Sequence, residues 1–247
     1  MGMLAFSLFS CKKETVVYQT DSINDYLPLA VNKYITYRVD STVYTNFGTV
    51  TEVHKYQMKF VVDAQVTDNL GRPSFRIFRY IRDSAGTQPW TPVYNSSTLM
   101  ITPLSNQIEL IEDNLRIIKL HLPMTIGFSW KGNAYLPLDP YGAQYSFSND
   151  DEMQSWDFYY DKFENTVSYL GNNYSNVYTV EEDDETYNVP ITNPNFYAYK
   201  NRSVEKYSKN IGLVYRELEM WEYQPNTGFG PPYRTGFAIK MWMIDHN

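Results

Sequence analysis

Side chains able to do covalent or proton-transfer chemistry are scarce in this chain of 247 residues. It holds one cysteine and three histidines, His54, His121 and His246, far apart in the sequence. No Gly-x-Ser-x-Gly elbow presents a serine; Gly127-Phe128-Ser129-Trp130-Lys131-Gly132 misses by one residue and sits in a strand pattern. A His-Glu-x-x-His pair is absent, and a single cysteine rules out a cysteine-based zinc site. Two acidic runs, Asp150-Asp151-Glu152 and Glu181-Glu182-Asp183-Asp184-Glu185, offer the hard oxygens calcium prefers. Both lack the EF-hand spacing with its glycine, and dense acidic runs are usually solvated loop tips. One carboxylate pair has a chemical reading. Glu217 and Glu219, at i and i+2 of a strand, would share a face about 6.5–7 Å apart. That is near the spacing of an inverting glycosidase, and Trp221 on the same face could stack a sugar. Any strand with Glu at i and i+2 does the same, so the residues assign no catalytic group, no metal ligand and no cofactor.

What the chain supplies in quantity is contact chemistry. Aromatic residues make up 17% of it, including 23 tyrosines. A tyrosine offers a flat apolar face and a hydroxyl, which suits sugars, peptides and protein interfaces. Trp156, Phe158 and Tyr160 share one strand parity, and Trp221 and Tyr223 share another. These five are the expected binding surface, for an envelope protein, a glycan or a lipid. Nucleic acid is not an expected partner, because 21 Lys+Arg against 28 Asp+Glu give a net charge of -7 with no basic block to neutralise phosphates.

The elements that must position these groups read as strands. From His54 to Val66, His54, Tyr56, Met58, Phe60, Val62, Ala64 and Val66 alternate with a more polar set, as in an antiparallel strand with one buried face. Val31 to Val43 does the same. Asp68-Asn69-Leu70-Gly71 gives a turn, with a return strand from Ser74 to Asp83. Further strands are expected at Gln107–Ile111, Leu115–Leu122, Phe128–Leu136, Ala143–Phe147, Ser155–Tyr160, Thr166–Val180, Arg202–Tyr207, Leu213–Tyr223 and Arg234–Ile244. Only Phe196 to Lys209 would tolerate a helical turn. Close-spaced strands without alternating helices predict an all-β, mainly antiparallel fold: a large curved sheet, sandwich or open barrel with little helix. Pro28-Leu29-Ala30-Val31-Asn32-Lys33-Tyr34-Ile35 and Pro123-Met124-Thr125-Ile126-Gly127-Phe128-Ser129-Trp130 echo each other in the spacing of proline, apolar and aromatic residues. The echo marks either two strands entering one sheet the same way or a coincidence.

The first residues give an address. A short apolar run ends at Leu8-Phe9-Ser10-Cys11, and Lys12-Lys13-Glu14 follow at once. The run is too short to span a membrane and ends as a secretory signal does. Leu8-Phe9-Ser10-Cys11 resembles a bacterial lipobox, which implies cleavage before Cys11 and lipid attachment to its thiol. Phe9 departs from the small residue usual there, and no basic residue precedes the run, as if the start were truncated. Residues 1–10 are thus expected to be a lipoprotein signal peptide, 11–25 a flexible tether, and 26–247 a single β domain. The expected location is the cell envelope, anchored to the outer membrane through the N-terminal lipid, on either its periplasmic or its surface face. Ser22, Ser41 and Ser84 each follow an aspartate in a tripeptide that resembles the short O-glycosylation signal of Bacteroidetes envelope proteins.

Longer stretches resemble a family of uncharacterised lipoproteins from Bacteroidetes-type bacteria. They are Tyr26-Leu27-Pro28-Leu29 leading into Tyr34-Ile35-Thr36-Tyr37, Leu122-Pro123 leading into Gly127-Phe128-Ser129-Trp130-Lys131-Gly132-Asn133, and Tyr207 to Tyr215. Asn32 replaces the glycine usual after the first Pro-Leu, which puts the geometry of that turn in question. The resemblance implies a mostly-β envelope lipoprotein with no established activity. The expectation is a lipid-anchored envelope protein that binds without catalysis, through a tyrosine-rich surface or a cavity. The alternative is a polysaccharide-acting hydrolase using Glu217 and Glu219.

Overall fold

The computed structural model describes residues 21–247 other than 227 and 229. The strands are β1 Tyr34–Thr45, β2 Val50–Thr67, β3 Pro73–Asp83, β4 Thr91–Pro92, β5 Thr98–Pro103, β6 Gln107–Glu112, β7 Leu115–His121, β8 Ser129–Trp130, β9 Phe158–Tyr169, β10 Asn172–Tyr187, β11 Ala198–Ser208, β12 Gly212–Gln224 and β13 Tyr233–His246. Helix among the described residues is confined to single 3-10 turns at Ile23–Asp25 and Met153–Ser155. The strands form one antiparallel sheet in the order β7-β6-β5-β3-β2-β1-β13-β12-β11-β10-β9-β8, with β4 added beside β3. Its two ends meet. The Ile118 N–H of β7 donates to the Gly132 carbonyl just past β8 at 2.8 Å, and the Trp130 indole donates to the Ile118 carbonyl at 2.9 Å. The all-β expectation holds, in the form of a nearly closed barrel.

Alternation decides which side chains fill it. In β1, Tyr37 and Val39 are buried, while Arg38 and Asp40 pair with each other at 3.2 Å on the outer face. Ile108, Leu120, Phe158, Tyr160 and Val180 are fully enclosed in the main core. Each large apolar side chain so buried contributes roughly 1.5–3 kcal/mol. One end of the barrel is covered by Ile23–Lys33, the other by the long connection 131–157, whose Leu136 and Met153 pack on Leu218, Met220 and Phe237.

Several sequence expectations shift. Ile23 and Tyr26 are core residues and Asp21 pairs with Lys209 at 2.6 Å, so residues 21–25 belong to the folded body and not to a tether. Phe128–Leu136 shortens to the two residues of β8, and Ala143–Phe147 is a turn region, because its aromatics pack against Phe237 instead of a neighbouring strand. Thr166–Val180 is cut by a hairpin at Leu170-Gly171, both with positive φ. Phe196–Lys209, open to helix by sequence, contributes β11. The run Glu181–Glu185 is no loop tip; it lies within β10.

The sequence echo is a structural repeat. In both segments the residue three back accepts a turn hydrogen bond: Lys33 N–H to Ala30 O and Phe128 N–H to Thr125 O, each 2.9 Å. Asn32 (φ 70°) and Gly127 (φ 82°) take the same left-handed conformation and donate to Val62 O and Tyr160 O. The asparagine therefore leaves the turn unchanged, since Asn tolerates positive φ better than most residues. Beyond the turn, the pairs Tyr34↔Val61 and Ile35↔Phe60 correspond to Ser129↔Tyr159 and Trp130↔Phe158. Even the next irregularity repeats: Phe60-Val61-Val62-Asp63 and Phe158-Tyr159-Tyr160-Asp161 each carry a bulge at the aspartate. The barrel is two six-stranded meanders, β1-β2-β3-β5-β6-β7 and β8 to β13, joined edge to edge in the same order.

Candidate functional site

The lumen holds two chambers. The first, about 100 Å³, is walled by Leu29, Ile35, Phe60, Ile77, Ile101 and Leu110 among others, and closed by Leu27 and Pro28. The second, about 300 Å³, lies towards the 131–157 connection and is lined by Val43, Leu115, Ile117, Leu218, Phe237, Tyr141 and Tyr145. Glu112 and Arg216 line both, so they form the partition. Gln144 and Tyr145 also border a wider groove of about 850 Å³ at the rim, beside Tyr44 and Arg234.

The partition belongs to a buried ion cluster built from facing strands. Lys119 of β7 binds Glu182 of β10 and, at 2.8 Å, Glu205 of β11. Glu205, 1% exposed, also accepts from the Tyr207 hydroxyl and lies 3.4 Å from Arg216 Nε. Glu182 accepts from Ser203. It points inward because a register shift between Glu181 and Asp183 makes it the extra residue of a bulge, and bulges re-aim side chains. On the other side Glu112 is bound by Arg79 of β3 and stands 3.8 Å from Arg216.

Burial and charge compete at each member. At Lys119 burial opposes the charge, but Glu182 and Glu205 outweigh it and raise the pKa. At Glu205 burial favours the neutral acid, yet Lys119 and Arg216 hold the carboxyl below its ordinary range. At Glu182 burial wins over Lys119, and the pKa is raised. Arg216 is also disfavoured by burial and more than compensated by Glu205, Glu112 and Glu182. Its Nε is buried without a hydrogen-bond partner.

Of this cluster, sequence singled out only Glu182, within the acidic run read for calcium. The available signal is parity: Lys119 shares a strand face with Leu115 and Ile117, and Arg216 with Val214, Leu218 and Met220. A charge on an apolar face is the informative exception.

The residues that sequence did single out fall elsewhere. Phe158 and Tyr160 are 0% exposed and Tyr223 is 7% exposed, so they cannot present a surface. Tyr160 donates to the His121 carbonyl and Tyr223 to the Pro194 carbonyl, satisfying their hydroxyls inside the fold. Trp156 is wedged between two core clusters. Trp221 lies on the outer face with Arg234 5.5 Å from its ring centroid. Glu217 and Glu219 do share that outer face. Lys240 bridges them at 3.0 and 3.1 Å, and Lys200 binds Glu219 at 2.8 Å. Burial pushes Glu219 upward, but Lys200 and Lys240 outweigh it and keep the carboxyl below its usual range. A general acid needs the opposite shift. Of the acidic runs, Asp150 accepts the Tyr141 N–H at 2.8 Å, and Glu181 and Asp184 pair with Arg202. No group of three metal-ligating side chains forms among the described residues. Ser22 and Ser84 are exposed, whereas Ser41 is half-buried and lines the second chamber. Cys11 lies outside the described residues. No helix among the described residues is long and apolar enough to cross a membrane.

No protein-family model matches the chain, and no curated protein does. Among solved structures it is similar to a Bacteroides fragilis protein described as exported and of YmcC-like fold, with 11% identity over 88% of this chain and 98% of the other and a TM-score of 0.41.

Proposed function

We infer that this chain is a lipid-anchored envelope protein that binds a small ligand with an apolar portion inside its barrel, without turning it over. The observation that carries the reading is the first chamber: an apolar space in the middle of the core, ending on a charged partition. Natural interiors leave few voids larger than a water molecule, and apolar cavities of similar size bind small hydrophobic molecules. Four of the five aromatic residues first suited to a contact surface, all but Trp221, are spent on packing, which favours the cavity over the surface. Against hydrolysis stand the lysine-clamped Glu217 and Glu219, set on the outer face and away from both chambers. The anchor rests on Cys11 and the apolar run before it.

The test uses the full chain. It should bind the neutral apolar probe benzene, read by calorimetry, and Ile101→Phe, which fills the first chamber, should reduce that binding at least about fivefold while the fold persists; overpacking costs about 1–3 kcal/mol. Binding unchanged by this substitution would remove the lumen from the function. In cells, Cys11→Ala should move the protein out of the membrane fraction, since the two acyl chains of a diacylglycerol on Cys11 would supply the anchor.

A further inference from the structure

Arg216 is the member of the cluster whose bonding is incomplete. Its guanidinium has five N–H donors in a planar fork, and its Nε is buried with no hydrogen bond. Its two nearest carboxylates are held more firmly by others. Glu205 is 3.4 Å from Arg216 Nε but 2.8 Å from Lys119, with the Tyr207 hydroxyl as a third partner. Glu112 is 3.8 Å from Arg216 while in direct contact with Arg79. Arg79 has in addition the Ser96 carbonyl at 2.7 Å and Asp113 at 3.8 Å. The remaining 18% exposure of the Arg216 side chain opens onto the chambers it lines. A buried guanidinium with free donors calls for an acceptor in the space before it.

We propose that Arg216 receives the carboxylate head of an amphipathic acid whose apolar chain extends from the partition into one of the two chambers that flank it. This rests on the lumen-binding reading above and names its ligand class. A monocarboxylate matches the site better than a phosphate ester, because one guanidinium with unbonded N–H donors offers a two-pronged bond to a single planar anion. Glu112 and Glu205 would repel the newcomer if they were free, but each already has its own cation. Burial also raises the pKa of Glu182 against the pull of Lys119. The walls fit the rest of the molecule: Ile77, Ile101 and Leu110 on one side, Ile117, Leu218 and Phe237 on the other. Gln144 and Tyr145, common to the second chamber and the rim groove, mark the way in.

Calorimetric titration of the delipidated full chain with hexanoate, decanoate and palmitate, each beside the alcohol of the same chain length, separates head from tail. The acid should bind at least about tenfold more tightly than its alcohol, as hydrogen bonds to charged groups require. Glu112→Gln, which releases a competitor, should tighten the acid and leave the alcohol unchanged. Arg216→Gln should bring the acid down to the level of the alcohol, with Arg216→Lys between. If acid and alcohol bind alike to the unaltered protein, the head-group assignment is overturned and the lumen reading stands. If neither binds at any chain length, the lumen reading falls and takes this assignment with it. The acid–alcohol comparison needs no variant, so a misfolded Arg216→Gln leaves the test intact.

Discussion

Asp183 stands next to the ion cluster without joining it. The bulge in β10 that turns Glu182 towards Lys119 leaves Asp183 with a buried Oδ2 that has no partner. Burial, with Glu185 beside it, pushes its pKa up from 3.8 to about 7. The folded chain therefore holds a proton here that the unfolded chain releases, and stability falls as pH rises through that window. Asparagine copies the protonated form. Asp183→Asn should raise Tm at about pH 8 by roughly 2–4 °C, the shift about 1 kcal/mol produces in a chain of this size, allowing for solvent screening of a half-buried group. Near the ordinary carboxyl range the gain should vanish. Thermal denaturation across pH checks both, and a gain independent of pH would mean the effect is not titration. At this scale little was legible in the sequence. Five acids in a row erase the apolar alternation that identifies a strand, so nothing local shows that Glu182 points inward while its neighbours bind Arg202. Its partner Lys119 is 63 residues away, and a pair made by topology leaves no spacing to read.

Elements were more legible where alternation was long and less so where backbone geometry ruled. β2, β3, β12 and β13 follow from period two. β5 escaped notice because Thr98–Pro103 is short and ends in proline, a residue that signals breaks. The Pro28 and Pro123 turns were visible as an echo, and their shared left-handed residue is what the spacing encodes. Two glycines test this reading from opposite sides. A Cβ at Gly127 would meet nothing within 4 Å, and its counterpart is an asparagine. Gly127→Asn should therefore be nearly neutral in urea denaturation. Gly236, in β13 at φ 111°, is different: a Cβ would lie 2.1 Å from the Met220 carbonyl oxygen of the adjacent strand. Gly236→Ala should cost more than the roughly 1–2 kcal/mol of left-handed backbone alone, because the backbone of β12 must move. Equal losses at the two sites would show that backbone conformation, and not strand contact, sets the cost.

At the scale of the molecule, the two meanders meet along unequal seams. β1 and β13 share a ladder of eight residue pairs, whereas β7 and β8 are joined through Ile118, Gly132 and Trp130. The chain crosses the thinner seam by the 122–128 connection. Cut there, with residues 21–122 and 123–247 expressed as separate chains, the halves should still assemble one to one, held by the β1–β13 ladder and the shared core; size-exclusion chromatography with light scattering reads this directly. Two folded, non-associating halves would show that each meander is a domain by itself. Sequence revealed the fold class and one turn of the repeat but not the duplication, because the loop lengths differ: β4 interrupts the first half, and the long 131–157 connection the second. Once the strands are aligned by register, Ile77↔Leu99↔Glu112 corresponds to Val180↔Glu205↔Arg216. Glu112 and Arg216 are thus the same position in the two halves, and they face each other across the partition. A first half meeting its own copy would bring two buried carboxylates together there, and a second half meeting its own copy two guanidiniums. The opposite charges make a shape that could pair with itself into one that accepts only its complement, so any exchange of halves between molecules is restricted to first with second.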